Sequence, residues 1–137
     1  MKYGIENNVS LSLETHISGK YFLFNRYVEY IDFVNNYPLL GILIDISHNY
    51  YDNYSEEDIY EAFKTKNVKG LHISDAIQGA EFDYGTHLSI GDGKINFKKL
   101  LKLFESMNIL YGALEIKASN DKIKRSLMEI KNIIGLK

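Results

Sequence analysis

The chain has no cysteine and a single proline, Pro38. Without cysteine there is no disulfide framework, no thiolate metal site and no cysteine nucleophile. One proline and ten glycines among 137 residues argue against long linkers and low-complexity segments. Excess positive charge is also missing: 16 basic and 18 acidic residues leave a net charge of −2, which argues against a nucleic-acid partner. No apolar run approaches the roughly 18–20 residues of a spanning helix, and no charged-then-apolar signal segment opens the sequence. The expectation is therefore a cytoplasmic protein with no membrane partner. What is present, 45% hydrophobic and 13% aromatic residues, suffices to bury a core, and residues 1–137 read as a single domain.

Four segments read as strands, and each precedes a helical pattern. Val9 to Glu14 alternates apolar and small polar residues. Phe24, Tyr27, Val28, Ile31 and Val34 then follow the 3.6-residue helical period. Leu40 to Asp45 is an apolar run suited to a buried parallel strand, and Ser55 followed by Glu56, Glu57 and Asp58 marks a helix start with a solvated acidic first turn. Ile59, Tyr60 and Phe63 would face inward from that helix. Val68 to Ile73 is the third strand, and Phe97, Leu100, Leu101, Phe104 and Met107 mark the next helix beyond a polar stretch from Ser74 to Gly93. Leu110 to Glu115 is the fourth strand. Ser119 is placed to cap a last helix with Ile123, Leu127, Ile130 and Ile134 on one face, and Met1 to Glu6 reads as the end of a preceding helix. Repeated strand–helix alternation implies an α/β fold with a parallel sheet covered by helices.

The four strands end in Glu14, Asp45, His72 and Glu115, separated by 31, 27 and 43 positions. A (β/α)8 barrel of about 250 residues spends about 31 residues on each unit. Side chains alternate across a strand, so Glu14 shares a face with Ser12, His72 with Gly70, and Glu115 with Ala113 and Tyr111. All four polar residues can thus converge at the C-terminal mouth of a barrel, where barrel active sites sit. Three carboxylates and one imidazole form an oxygen/nitrogen set suited to one divalent ion, Mn²⁺, Mg²⁺, Co²⁺ or Zn²⁺.

The segments Leu13-Glu14-Thr15-His16, Ile44-Asp45-Ile46-Ser47-His48, Leu71-His72-Ile73-Ser74-Asp75, His87 through Phe97, and Leu114-Glu115-Ile116 stand in one order, each at a strand end or in the loop after it. In this order the chain resembles the C-terminal half of the xylose isomerase-like TIM-barrel superfamily. That superfamily holds sugar isomerases and epimerases, inosose dehydratases and the endonuclease IV type of DNA-repair nuclease. The resemblance implies a divalent-metal-dependent isomerase or epimerase of a sugar or sugar phosphate. Glu14, Asp45, His72 and Glu115 would be the metal ligands. Glu14 and Glu115 would also be catalytic, moving a proton through an enediolate from opposite faces of the substrate. His48 and His87 would bind substrate. The alternatives are an endonuclease IV-like zinc nuclease or a non-catalytic split or truncated barrel. The nuclease branch carries an aspartate two residues before the counterpart of His87, where this chain has Gly85, with Asp83 offset by two.

Several residues keep two readings. Asp75 supports the site or caps its loop, and His16 reads as an exposed loop histidine. Lys117 reads as solvated rather than bound to an anionic substrate. Tyr50, Tyr51 and Tyr54 are core residues or walls of a sugar site. Gly91 and Gly93 make a tight turn, not a dinucleotide signature, because they follow a loop and lack a third glycine. Four βα units make only half a barrel. A homodimer or a separate N-terminal half-barrel chain is therefore expected to complete it around a sugar or polyol.

Overall fold

The computed structural model describes residues 2–136. Four strands, β1 (Ser12–Glu14), β2 (Gly41–Asp45), β3 (Val68–Ile73) and β4 (Tyr111–Leu114), form one parallel sheet in sequential order. Among the described residues seven helices accompany them: α1 (Lys2–Glu6), α2 (Tyr27–Asn36), α3 (Ile46–Tyr51), α4 (Glu56–Phe63), α5 (Phe82–Gly85), α6 (Phe97–Phe104) and α7 (Asn120–Ile133). This is the expected architecture, half of a TIM barrel. The helix expected at the start is α1; Met1 lies outside the described residues. No helix among the described residues is long and apolar enough to cross a membrane.

Alternation along the strands explains the layers. Ile42 and Ile44 of β2 and Leu71 and Ile73 of β3 are buried beneath the helices, with Tyr30 and Val34 of α2, Ile59 and Phe63 of α4, and Leu100 and Phe104 of α6. On the opposite face the Tyr111 ring lies across Gly70, where a Cβ would come within 2.5 Å of it. The register aligns Asp45 with His72 and His72 with Ala113, so the strand ends reach one level.

Several local expectations change at the borders of the sheet. The first ladder begins at Ser12 rather than Val9, because Ser12 pairs with Gly41, where β2 begins; Val9 and Leu11 are 52% and 45% exposed. Val28, read as part of an inward stripe, is half exposed, while Tyr27, Tyr30 and Val34 carry the burial. Leu127 of α7 and Ile134 at its C-cap are also half exposed, and Ser126 and Ile130 are buried, because among the described residues no strand lies beyond β4 to cover that flank. Ser119 occupies the N-cap of α7, but its hydroxyl makes no capping bond. Ser55 does cap α4, in a reciprocal box with Asp58. Glu56, read as solvated, is buried: its carboxylate accepts the backbone N–H of Asn96 at 2.8 Å and ties α4 to the start of α6.

Candidate metal centre

The four strand-end residues come together. His72 Nδ1 lies 3.0 Å from Glu14 Oε1, 2.5 Å from Glu115 Oε2 and 4.0 Å from Asp45 Oδ2. One donor atom from each of the four residues falls within 4.8 Å of the others. Glu14 and Glu115 keep part of their side chains in solvent, whereas Asp45 is fully buried.

Asp45 is held by what immediately follows it. Its Oδ1 accepts the Ser47 hydroxyl at 2.8 Å and the His48 backbone N–H at 2.9 Å, which makes Asp45 the N-cap of α3. Its backbone N–H donates to Thr15 Oγ1 at 2.8 Å. Oδ2, by contrast, is buried without a hydrogen-bond partner. An unpaired oxygen on a buried carboxylate is costly, and two more carboxylates nearby add like-charge repulsion. A divalent cation answers both demands, and the donor set contains only the oxygen and nitrogen atoms such ions take. The residues therefore fit the metal that the resemblance implies.

His48 and His87 meet beside this cluster, their Nε2 atoms 3.2 Å apart. His48 Nδ1 lies 3.3 Å from the Thr15 carbonyl and His87 Nδ1 lies 3.2 Å from the Glu115 carbonyl. With each Nδ1–H donated to a carbonyl, the two Nε2 lone pairs face each other, an arrangement that takes a proton or a cation between them. Burial pushes the His48 imidazole pKa below its ordinary value, and the positive charges possible on His16 and His87 add to this, while Asp45 opposes it. Asp45, His48 and His87 form a second group of potential ligands.

The other residues singled out by sequence divide. His16 is exposed as expected, yet its ring centroid lies 4.5 Å from that of His48 and it stacks on Phe22. A cavity of about 170 Å³ opens beside Glu14, lined by His16, Ile17, Phe22, Leu23 and Phe24. Tyr54 is packed against Tyr27 in the core, whereas Tyr51 donates to the Ala80 carbonyl at 2.8 Å and holds the loop after β3. Lys117 lies 3.7 Å from Asp83 at the rim. Gly85 is buried, and a Cβ there would press on the Ala80 and Tyr51 side chains and the Ile77 carbonyl at 3.0 Å, so an aspartate would require these neighbours to shift. Thr15 escaped sequence reading: it is buried, and its hydroxyl serves both Asp45 and Asn49. Its only signal is adjacency to Glu14.

A parallel βα sheet with ligand-type side chains gathered at its C-terminal strand ends defines half of a TIM barrel with a candidate metal site. The chain belongs to the xylose isomerase-like TIM barrel family, whose family model matches residues 2–133. No curated protein matches it. Among solved structures, it is similar to a protein described as D-tagatose 3-epimerase-like, with 17% sequence identity and a TM-score of 0.80. The alignment covers 98% of this chain and 50% of that one, so the chain spans half the length of that neighbour.

Proposed function

We propose that this chain carries the metal-binding half of an isomerase or epimerase acting on a sugar, sugar phosphate or polyol. The observation that carries this reading is the convergence of Glu14 and Glu115, from the two outermost strands, on His72 and Asp45. These four residues would hold one divalent ion. When bound, that ion supplies Lewis-acid polarisation of a carbonyl and its neighbouring hydroxyl. Glu14 and Glu115 reach solvent and approach from opposite sides, as two bases must to remove a proton from one face of a carbon and return one to the other. One carboxylate takes the α-proton, leaving an enediolate, and the other delivers a proton. Asp45 is too deeply buried and too firmly bonded to share that work; it holds position. His48 and His87 orient a substrate hydroxyl, and the lowered pKa of His48 keeps it neutral near pH 7. The family and the epimerase-like neighbour support the same substrate class.

The test is proton exchange between ²H₂O and a panel of ketoses, aldoses and their phosphates. Glu14→Gln and Glu115→Gln should each lower exchange at least about a hundredfold with the fold intact. Wild-type exchange in either variant overturns the mechanism. Closure of the barrel belongs to the same reading: a second copy of the chain or a separate N-terminal half would pair with the open edges of β1 and β4.

A zinc nuclease is the second reading, favoured by the Asp45–His48–His87 group. Against it stand the glycine at position 85, packed tightly by Ala80, Ile77 and Tyr51, and the exposure of Asp83. Metal analysis separates the two: more than one ion per chain, with cleavage of abasic DNA, supports the nuclease, and a single ion removes it.

A further inference from the structure

Asp75 lies three residues beyond His72 and is 1% exposed, and its carboxylate is held by four backbone N–H groups from outside the candidate ligand set. Its carboxylate is filled by backbone donors. Oδ1 accepts the N–H groups of Ala76 at 2.9 Å and Ile95 at 3.0 Å, and Oδ2 accepts those of Gly91 at 2.9 Å and Gly93 at 3.0 Å. A Cβ on Gly93 would overlap this carboxylate, so the turn is wrapped directly on the anion. The Asp75 backbone meanwhile exchanges both hydrogen bonds with Leu88, at 2.9 and 3.0 Å.

His87, the neighbour of Leu88, has a φ of 54°. A side-chain-bearing residue enters that left-handed region at a cost and stays there only when its surroundings over-determine it. The surroundings here are the Asp75–Leu88 pairing on one side and the Lys117 N–H on the His87 carbonyl, at 2.9 Å, on the other. We propose that Asp75 is a positioning residue: it folds the Gly91–Ile95 turn onto itself, locks Leu88 in place, and so holds His87 in the strained conformation that aims Nε2 at His48. The functional consequence rests on the reading of His87 as a substrate-orienting residue; the conformational claim stands without it.

The experiment uses the full 137-residue chain. Asp75→Asn keeps the volume but turns an amide donor toward two of the backbone N–H groups. Gly93→Ala presses on the same carboxylate while leaving Asp75 in place. Proton–nitrogen correlation spectra report the imidazole nitrogens, with His87 assigned by His87→Gln. In both variants the His87 signals should move to those of a solvated, tautomer-averaged ring. The Co²⁺ affinity of the four strand-end ligands should change by less than about tenfold, the loss that removing a true supporting partner brings. A thermal-unfolding cycle adds an independent readout. In a His87→Gly background, where the left-handed backbone costs nothing, Asp75→Asn should lower the unfolding midpoint more than it does in the parent chain, where release of the His87 strain offsets part of the loss. His87 signals unchanged in both variants, or equal midpoint losses in the two backgrounds, would overturn the assignment. If Asp75→Asn does not fold, the His87 signals of Gly93→Ala decide alone. Failure of the parent chain to bind Co²⁺ counts against the metal reading and leaves the Asp75 result intact.

Discussion

Asp45 uses its two oxygens differently: one is held by Ser47 and His48, and the other is buried with nothing to accept. Asp45→Asn should therefore weaken Co²⁺ or Mn²⁺ binding by more than about tenfold, since a ligand is lost as well as its setting; isothermal titration checks this, and unchanged affinity would remove Asp45 from the ligand set. His48 gives a prediction in pH. Its folded pKa lies below the ordinary imidazole value of about 6.5, so folding favours the neutral ring. Below about pH 6.5 the unfolded chain takes up this proton before the folded one does, and stability falls as pH drops toward the depressed folded value. In metal-free buffer, urea denaturation between pH 7.5 and 5.5 should show this fall, and His48→Gln should flatten it. A parent chain that grows more stable on acidification through that range contradicts the assignment. At this scale Glu14, Asp45, His72 and Glu115 were legible because a strand end is a local feature. Thr15 was not, because one threonine after one glutamate carries no pattern, and its partners, Asp45 and Asn49, are 30 and 34 residues away.

Among the elements, the existence of the longer helices was legible from their periodicity, although Val28 and Leu127 fall outside the buried face, and the short pieces were not legible. α3 and α5 have six and four residues, too few to display a helical period; α3 exists because Asp45 caps it and β3 packs against it. The cap at the start of α4 was legible from Ser55 and the acids behind it, and the structure adds the reciprocal bond from Asp58. Ser55→Ala should cost about 1 kcal/mol, the usual value of such a cap, measured as a shift in the urea midpoint with unchanged slope. A shift near zero would mean that the burial of Ile59 and Phe63 alone sets the helix. Glu56 shows the limit of composition: in a run of three acids it looks solvated, and only the approach of Asn96 from 40 residues away turns it into a buried link.

As a whole molecule the chain is a sheet with two open edges. Val9 and Leu11 beside β1, Leu110 and Tyr111 at β4, Leu127 and Met128 on α7 and Ile134 at its C-cap are all between 45% and 65% exposed. Unpaired parallel edges flanked by apolar side chains seek partners. Expressed by itself, the chain should therefore self-associate, and multi-angle light scattering should return a mass above one protomer. A well-folded monomer would refute closure by a second copy and leave only a separate N-terminal half to cover the edges.

The sequence by itself determined the alternation of strand and helix, the half-barrel and the four residues at the strand ends, because spacing and parity are written locally and survive folding unchanged. Only the tertiary structure decided the orientations that make those residues chemistry. It leaves one oxygen of Asp45 unpaired, sets the Nε2 atoms of His48 and His87 3.2 Å apart, and wraps a distant turn on Asp75. These depend on groups that meet across tens of residues, where no local period reaches. The physical reason is that a strand fixes which face a side chain leaves from, while its neighbours in space fix what that side chain can accept.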